Sequence, residues 1–339
     1  MTLPLPTSLS PSKVSTFTDC ALAFRFSAID KLPEAPSVPA MKGSLVHRAL
    51  ELLFVRPPAE RTPLEARSCL AIAVDEFATD PQFLALGLDG AAQQAFIDDA
   101  AKMVERYFLL EDPTAFDPIG IELLLSTSVD DLLLRGIIDR LDLTPDGELI
   151  VTDYKTGRPP AERQEASKLG GVHFYSLLCE RLFGKRPVKV QLLYLGTNPQ
   201  IITAVPSEQS TRALERKVTA IWSAVKRACD SEDFRPKPSA LCSWCSFQSF
   251  CPAFGGDLPT AVELRTPLAA PAADTPVVDA PVADTPVADT PVADTPAADT
   301  PVADTPVADA PVADAPVGGE LPVSGELPST GVPPTAMME

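Results

Sequence analysis

The chain has 339 residues, with 28 Lys and Arg against 46 Asp and Glu, a formal net charge of −18 that would ordinarily argue against a polyanionic partner. Most of that acidity is terminal: residues 257–339 hold 14 acidic side chains and one basic, leaving 32 acidic and 27 basic in residues 1–256. No stretch approaches the ~20 apolar residues of a membrane span and no signal-peptide run opens the chain, so a cytoplasmic protein is expected, whose seven cysteines point to metal or core duty before disulfides.

Ser10 is placed to cap a helix with Pro11 at its first position, and Val14, Phe17, Ala21 and Phe24 follow at helical spacing, which predicts a first helix carrying Cys20. In "GSLVHRALELLF", Leu45, Ala49, Leu50 and Leu53 form an apolar stripe, with His47 and Glu51 one turn apart. By itself His47 reads as a surface histidine paired with Glu51. Further helices are expected over 64–78 and 90–111, then extended segments over 118–127, 131–142 and 148–155. A helix around 164–184, strands in "PVKVQLLYLG" and "QIITAVP", and a helix over 207–230 complete the pattern. It predicts an α/β (α+β) core: a mixed central sheet flanked by helices, with an N-terminal helical region, over residues 8–255.

Residues 256–339 are of another kind. From Pro271 to Ala315 a five-residue unit such as "PVADT" repeats nine times, with Pro first and Asp fourth. Proline at that spacing removes backbone donors and the unit has little to bury, so a disordered acidic tail is expected. The folded part, by contrast, has eight Lys or Arg against three Glu over residues 155–190, which suits either a polyanion or a solvated helix face.

The segment "GIIDRLDLTPDGELIVTDYKTG" reads as a hairpin around Pro145-Asp146-Gly147, with Thr144 facing Glu148. That register sets Asp139 opposite Asp153, and strand alternation puts Lys155 on the same face. Two close carboxylates repel unless a cation joins them, and Mg²⁺ or Mn²⁺ prefers such oxygen ligands. A phosphodiester-hydrolysing site and an ordinary hairpin with solvent-facing charges both fit these residues alone.

"GSLVHRALE", "GIIDRLD", "VTDYKTG" and a helix containing "FYSLLCE" together resemble, in order and spacing, the RecB-like branch of the PD-(D/E)XK nuclease superfamily. The resemblance spans roughly residues 8–255 and implies a restriction-endonuclease-like core. It implies His47, Asp139 and Asp153 as metal ligands, Lys155 as the catalytic lysine, and Tyr175 as a residue near DNA and the active site. The family commonly has Gln four residues before that tyrosine, where this chain has Gly171, with His173 between them.

Cys242, Cys245 and Cys251 form a C-x2-C-x5-C cluster, and Cys20 lies in "FTDCALAFRF", similar to a segment of the same relatives. Three soft ligands at this spacing want a thiophilic metal and a fourth ligand. The resemblance implies that Cys20, Cys242, Cys245 and Cys251 hold a 4Fe-4S cluster stapling the two ends of the domain, and a four-thiolate Zn²⁺ is the alternative. Cys69, Cys179 and Cys229 are expected in the core.

No P-loop and no nucleophile elbow occur, which leaves helicase-motor and serine-hydrolase functions without support. The expectation is a metal-dependent DNA exonuclease acting on single strands or free ends in repair or recombination, with a separate helicase as a candidate partner. A CRISPR-adaptation-type nuclease and a catalytically silent DNA-binding partner of a helicase are the alternatives.

Overall fold

A computed structural model describes residues 3–160 and 172–258. The expected repeat tail, the first half of the helix expected around 164–184, and Gly171 lie outside the described residues.

Several of the helices begin where short polar residues meet proline. Ser10 caps α1 (Pro11–Asp19) by accepting the N–H of Lys13, Ser37 caps α3 (Val38–Val55), and Thr62 caps α4 (Pro63–Phe77), each with proline in the first turn. Cys20 does not ride on a continuous helix: its extended backbone, φ −158° and ψ 111°, breaks α1 from α2 (Ala21–Phe24). A short α5 (Pro81–Leu84) and the longer α6 (Gly90–Tyr107), capped by Asp89, complete the N-terminal helical region. After the strands come α7 (Val172–Phe183) and α8 (Glu208–Ser231), the latter opened by a capping box between Ser207 and Ser210. Among the described residues no helix is long and apolar enough to cross a membrane.

Among the described residues five strands form one mixed sheet in the order β1 (Gly120–Val129), β2 (Leu132–Leu143), β3 (Leu149–Lys155), β4 (Lys189–Tyr194) and β5 (Gln200–Ala204). Of these strands β3 and β4 pair in parallel and the other neighbours antiparallel, and α7 lies in the crossover between β3 and β4 that parallel strands require. The hairpin has its expected register: the N–H of Thr144 donates to the Glu148 carbonyl at 2.9 Å, and Gly147 takes φ +76° at the turn.

Each sheet face buries its own core. On one face Leu134, Ile138, Leu141 and Val151 pack with Val14, Phe24 and Phe26 and with the buried stripes of α7 and α8, including Leu178, Val218 and Trp222. On the other, Tyr154, Leu193 and Leu195 share a core with α3, α4 and α6 through Leu45, Ala49, Leu50, Leu53, Leu70, Ala73, Phe96 and Tyr107. The apolar stripe of α3 fills this second core, which turns His47, two positions beyond Leu45, toward its margin. Cys69 is buried in the second core, and Cys179 and Cys229 in the first.

Candidate active site

The sheet forks at Asp139. Below it, β2 and β3 pair from Leu143↔Leu149 to Arg140↔Thr152. Above it the Asp139 side chain replaces the backbone ladder, its Oδ2 accepting the N–H of Tyr154 at 2.6 Å. On the other side, β1 pairs Leu123 with Ile138 and Ile121 with Arg140, and between them Glu122 sits at φ +45°. A non-glycine residue there carries ~1–3 kcal/mol of backbone strain, the kind found at functional sites. The irregularity also reverses the facing of the strands: Ile121 packs on the second core and Leu123 on the first. Glu122 and Asp139 are thereby turned out of the alternation and toward α3.

There they meet His47. Its Nδ1 lies 3.7 Å from Glu122 Oε1 and 3.6 Å from Asp139 Oδ2, while its Nε2 lies 3.1 Å from the carbonyl oxygen of Tyr154. A carbonyl can only accept, so Nε2 carries a proton, and in the neutral ring the Nδ1 lone pair faces the two carboxylates, where a cation would join them. Metal-ligating histidines are oriented in this way by a hydrogen bond from the other ring nitrogen. Among the described residues, His47, Glu122 and Asp139 are the one group of three His, Cys, Asp or Glu whose ligand atoms all lie within 4.8 Å of one another. His47 and Glu122 open onto a cavity of about 330 Å³ that Gly43, Ser44, Arg48 and Glu51 also line.

Asp153 and Lys155 stand on the neighbouring strand. Lys155 is ion-paired with Asp153, which is buried, while the lysine side chain remains 43% exposed. Burial disfavours the Lys155 ammonium, but the charge and contact of Asp153, then Asp139 and Tyr194, outweigh it and raise its pKa. Burial, and after it the charge of Asp153, pushes Asp139 up to about 7, against the opposing pull of His47. His47 is raised in turn: burial works against its charged form, and the contact with Glu122 and the charges of Asp139, Glu122 and Asp153 prevail. These are the marks of carboxylates crowded for a cation.

Tyr175 lies over β2, where Gly136 makes the room: a Cβ at that glycine would stand 3.1 Å from the Tyr175 ring. Burial raises the Tyr175 hydroxyl well above the usual phenol range, helped by Asp153 and Asp139. Burial lowers the pKa of His173, and its Nδ1 has no hydrogen-bond partner among the described residues. Glu51 pairs with Arg48 at 2.9 Å rather than with His47. Asp142 belongs to structure: both its oxygens accept from the buried Arg140 Nε, at 3.1 and 3.0 Å.

The structure therefore brings His47, Asp139, Asp153, Lys155 and Tyr175 to one place and adds Glu122, which the motif reading passed over. Its signal was a lone carboxylate inside the apolar run "GIELLL".

The four-cysteine centre requires correction. Cys20, Cys242, Cys245 and Cys251 are all free thiols lining one small, largely apolar cavity. No three of their sulfurs approach within the 4.8 Å that gathers His47, Glu122 and Asp139, whereas a zinc tetrahedron with Zn–S near 2.3 Å needs sulfurs roughly 3.8 Å apart. Among the described residues neither a 4Fe-4S nor a Zn²⁺ site is present; the metal-ligand set is His/Glu/Asp. The thiols serve local structure, as where Cys242 Sγ accepts the Ser239 N–H at 3.3 Å. The two ends of the fold are joined by packing instead, with Phe26 against Phe247 and Phe250 at ring separations of 5.5 and 6.4 Å.

Residues 8–252 match the family described as the PD-(D/E)XK nuclease superfamily. The gene 69 protein of Mycobacterium phage D29 is 24% identical over 267 residues, covering 72% of this chain and 96% of the phage protein. A solved structure of a putative exonuclease from Eubacterium rectale superposes with a TM-score of 0.45 at 9% identity, over 70% of this chain and 87% of that one.

Proposed function

This chain belongs to the PD-(D/E)XK nuclease superfamily, and from that premise we propose that it is a divalent-metal-dependent deoxyribonuclease of RecB-like type. Its substrate in this reading is single-stranded DNA or a free DNA end, degraded exonucleolytically in repair or recombination, in the cytoplasm and beside a separate helicase. Residues 8–255 are taken as the nuclease domain and 256–339 as an appended tail.

The observation that carries the reading is the His47 Nδ1 lone pair converging with Glu122 and Asp139 beside the Asp153–Lys155 pair. One nitrogen and two carboxylates fit Mg²⁺ or Mn²⁺, the manganese ion accepting imidazole more readily. A bound ion supplies Lewis-acid polarisation of a phosphoryl oxygen and a lowered pKa for bound water. Asp153 contributes a further carboxylate from β3 and holds the Lys155 ammonium. The half-exposed ammonium then faces the reacting phosphate, where it orients the attacking water and offsets the negative charge developing on the phosphoryl oxygens. Tyr175, roofing the same site, borders the bound strand.

End-labelled single- and double-stranded DNA incubated with Mg²⁺ or Mn²⁺, wild type beside Lys155→Ala, tests this directly. Metal-dependent cleavage lost in the variant is the expected result, and the product ladder separates exonucleolytic from endonucleolytic action. Cleavage that persists in Lys155→Ala, or that ignores EDTA, would sink the assignment.

A further inference from the structure

Beyond the pair Arg140↔Thr152, β3 leaves β2, and Leu9 takes the vacated edge. The Leu9 N–H donates to the Leu133 carbonyl and the Leu9 carbonyl accepts the Arg135 N–H, both at 2.9 Å. That junction sets the start of α1 beside Arg135. The result is a groove of about 690 Å³ that Ser10, Ser12, Lys13 and Arg135 line together with Lys155 and Tyr175 of the candidate active site.

Two properties of the groove define its occupant. The first is charge. No acidic residue among the described residues lines it, and Arg135 has no ion-pair partner among them. Lys13 is half-buried, donating to the Ser8 carbonyl at 3.0 Å, and its ammonium is disfavoured by that burial and by the like charges of Lys31 and Arg135. Cations gathered without a counter-charge are stabilised by an anion. The basic surface between α7 and α8 differs, because there Arg181 is paired with Glu215 and Arg212 with Glu208. The second property is apolar exposure. Leu124 and Ile137 are cross-strand partners in the groove and remain 46% and 48% exposed, an apolar surface that shares the groove with Lys155.

We propose that this groove holds the DNA strand on one side of the scissile bond, with Lys13 and Arg135 each on a backbone phosphate and the Leu124–Ile137 pair under an unpaired base. The inference rests on the nuclease reading above and deepens it: a base must be unstacked to reach that pair, so the groove selects a single strand or a frayed end over intact duplex.

Binding of a fluorescein-labelled oligothymidylate, read by anisotropy in EDTA, tests the groove independently of turnover, and cleavage of the same oligonucleotide and of a dinucleotide is followed in parallel. Lys13→Ala with Arg135→Ala weakens oligonucleotide binding on the order of tenfold and lowers the slope of log K against log salt by about 1.4, the value for two phosphate contacts with a single strand. In cleavage, KM for the oligonucleotide rises far more than kcat falls, and the preference for oligonucleotide over dinucleotide shrinks. Because Lys13 is half-buried, the exposed Arg135 is also replaced alone, with a slope change of about 0.7 expected. Unchanged affinity and salt slope in both variants overturn the proposal, as does an equal loss on dinucleotide and oligonucleotide. Equally tight duplex binding through the same residues overturns its single-strand part. A wild type that binds through these residues and cuts nothing supports the groove while defeating the nuclease reading.

Discussion

The Nε2 of His47 lies 3.1 Å from the carbonyl oxygen of Tyr154, the residue between Asp153 and Lys155. One hydrogen bond thus locks α3 onto β3 at the centre of the candidate site, fixes the histidine tautomer, and aims Nδ1 at Glu122 and Asp139. Removing that lone pair, or either carboxylate, should lower the affinity for Mn²⁺. We expect His47→Ala and Glu122→Gln each to weaken Mn²⁺ binding by about 10- to 100-fold, measured by calorimetry or by the electron paramagnetic resonance of free Mn²⁺. Affinity unaltered in Glu122→Gln would remove that residue from the ligand set.

Lys155 stands apart from the ligand group, and its expected defect is correspondingly different. Lys155→Ala should lower kcat by ~10²–10⁴, the usual range for a positioned group that assists proton transfer or charge development, while Mn²⁺ affinity stays within a few fold. A parallel loss of ion binding and turnover would instead make the lysine a structural partner of Asp153.

Much of this was legible because it is local. The hairpin register followed from the turn residues, and the placement of Asp139 near Asp153 and Lys155 followed from register plus alternation. The stripe on α3 was legible for the same reason, since Leu45, Ala49, Leu50 and Leu53 encode a face directly. Glu122 was not, because its role depends on a reversal at φ +45° that breaks the alternation used to assign faces. The crowding of carboxylates in the hairpin also has two separate causes that sequence does not distinguish: Asp139 and Asp153 face the site, while Asp142 neutralises Arg140. Cysteine spacing misled because proximity along the chain and shared lining of a cavity do not bring sulfur atoms to ligand separation.

The raised pKa of Asp139 makes a prediction about stability. A carboxyl that is pushed up to about 7 on folding from an ordinary value of 3.8 is protonated preferentially in the folded chain. Its contribution to stability is therefore fully present below pH ~4 and lost as pH rises toward 7. The raised His47 acts in the same sense over the range above its own ordinary value. In EDTA, urea unfolding should show wild-type stability falling by roughly 2–4 kcal/mol across this window, and Asp139→Asn should flatten the profile. Saturating Mn²⁺ at pH 8 should recover the loss. A wild-type profile in EDTA that parallels Asp139→Asn would place the crowded acid elsewhere.

Behind the site, Arg140 is 1% exposed. Its guanidinium donates to both oxygens of Asp142 and both of Glu111, to the Tyr154 hydroxyl at 3.2 Å and to Thr152 at 3.1 Å, with the Phe116 ring 4.5 Å away. Every donor is used, so truncation strands two carboxylates rather than merely removing a contact. Arg140→Ala should cost about 3–5 kcal/mol in urea unfolding, and replacing Asp142 and Glu111 by apolar residues in the same chain should restore part of it. Because Arg140 anchors the hydroxyl of Tyr154, whose carbonyl orients His47, the milder Arg140→Lys should also weaken Mn²⁺ binding several-fold without touching a ligand. Stability lost in Arg140→Lys with ion affinity intact would show that the network supports the sheet alone and that His47 is positioned by α3 without it.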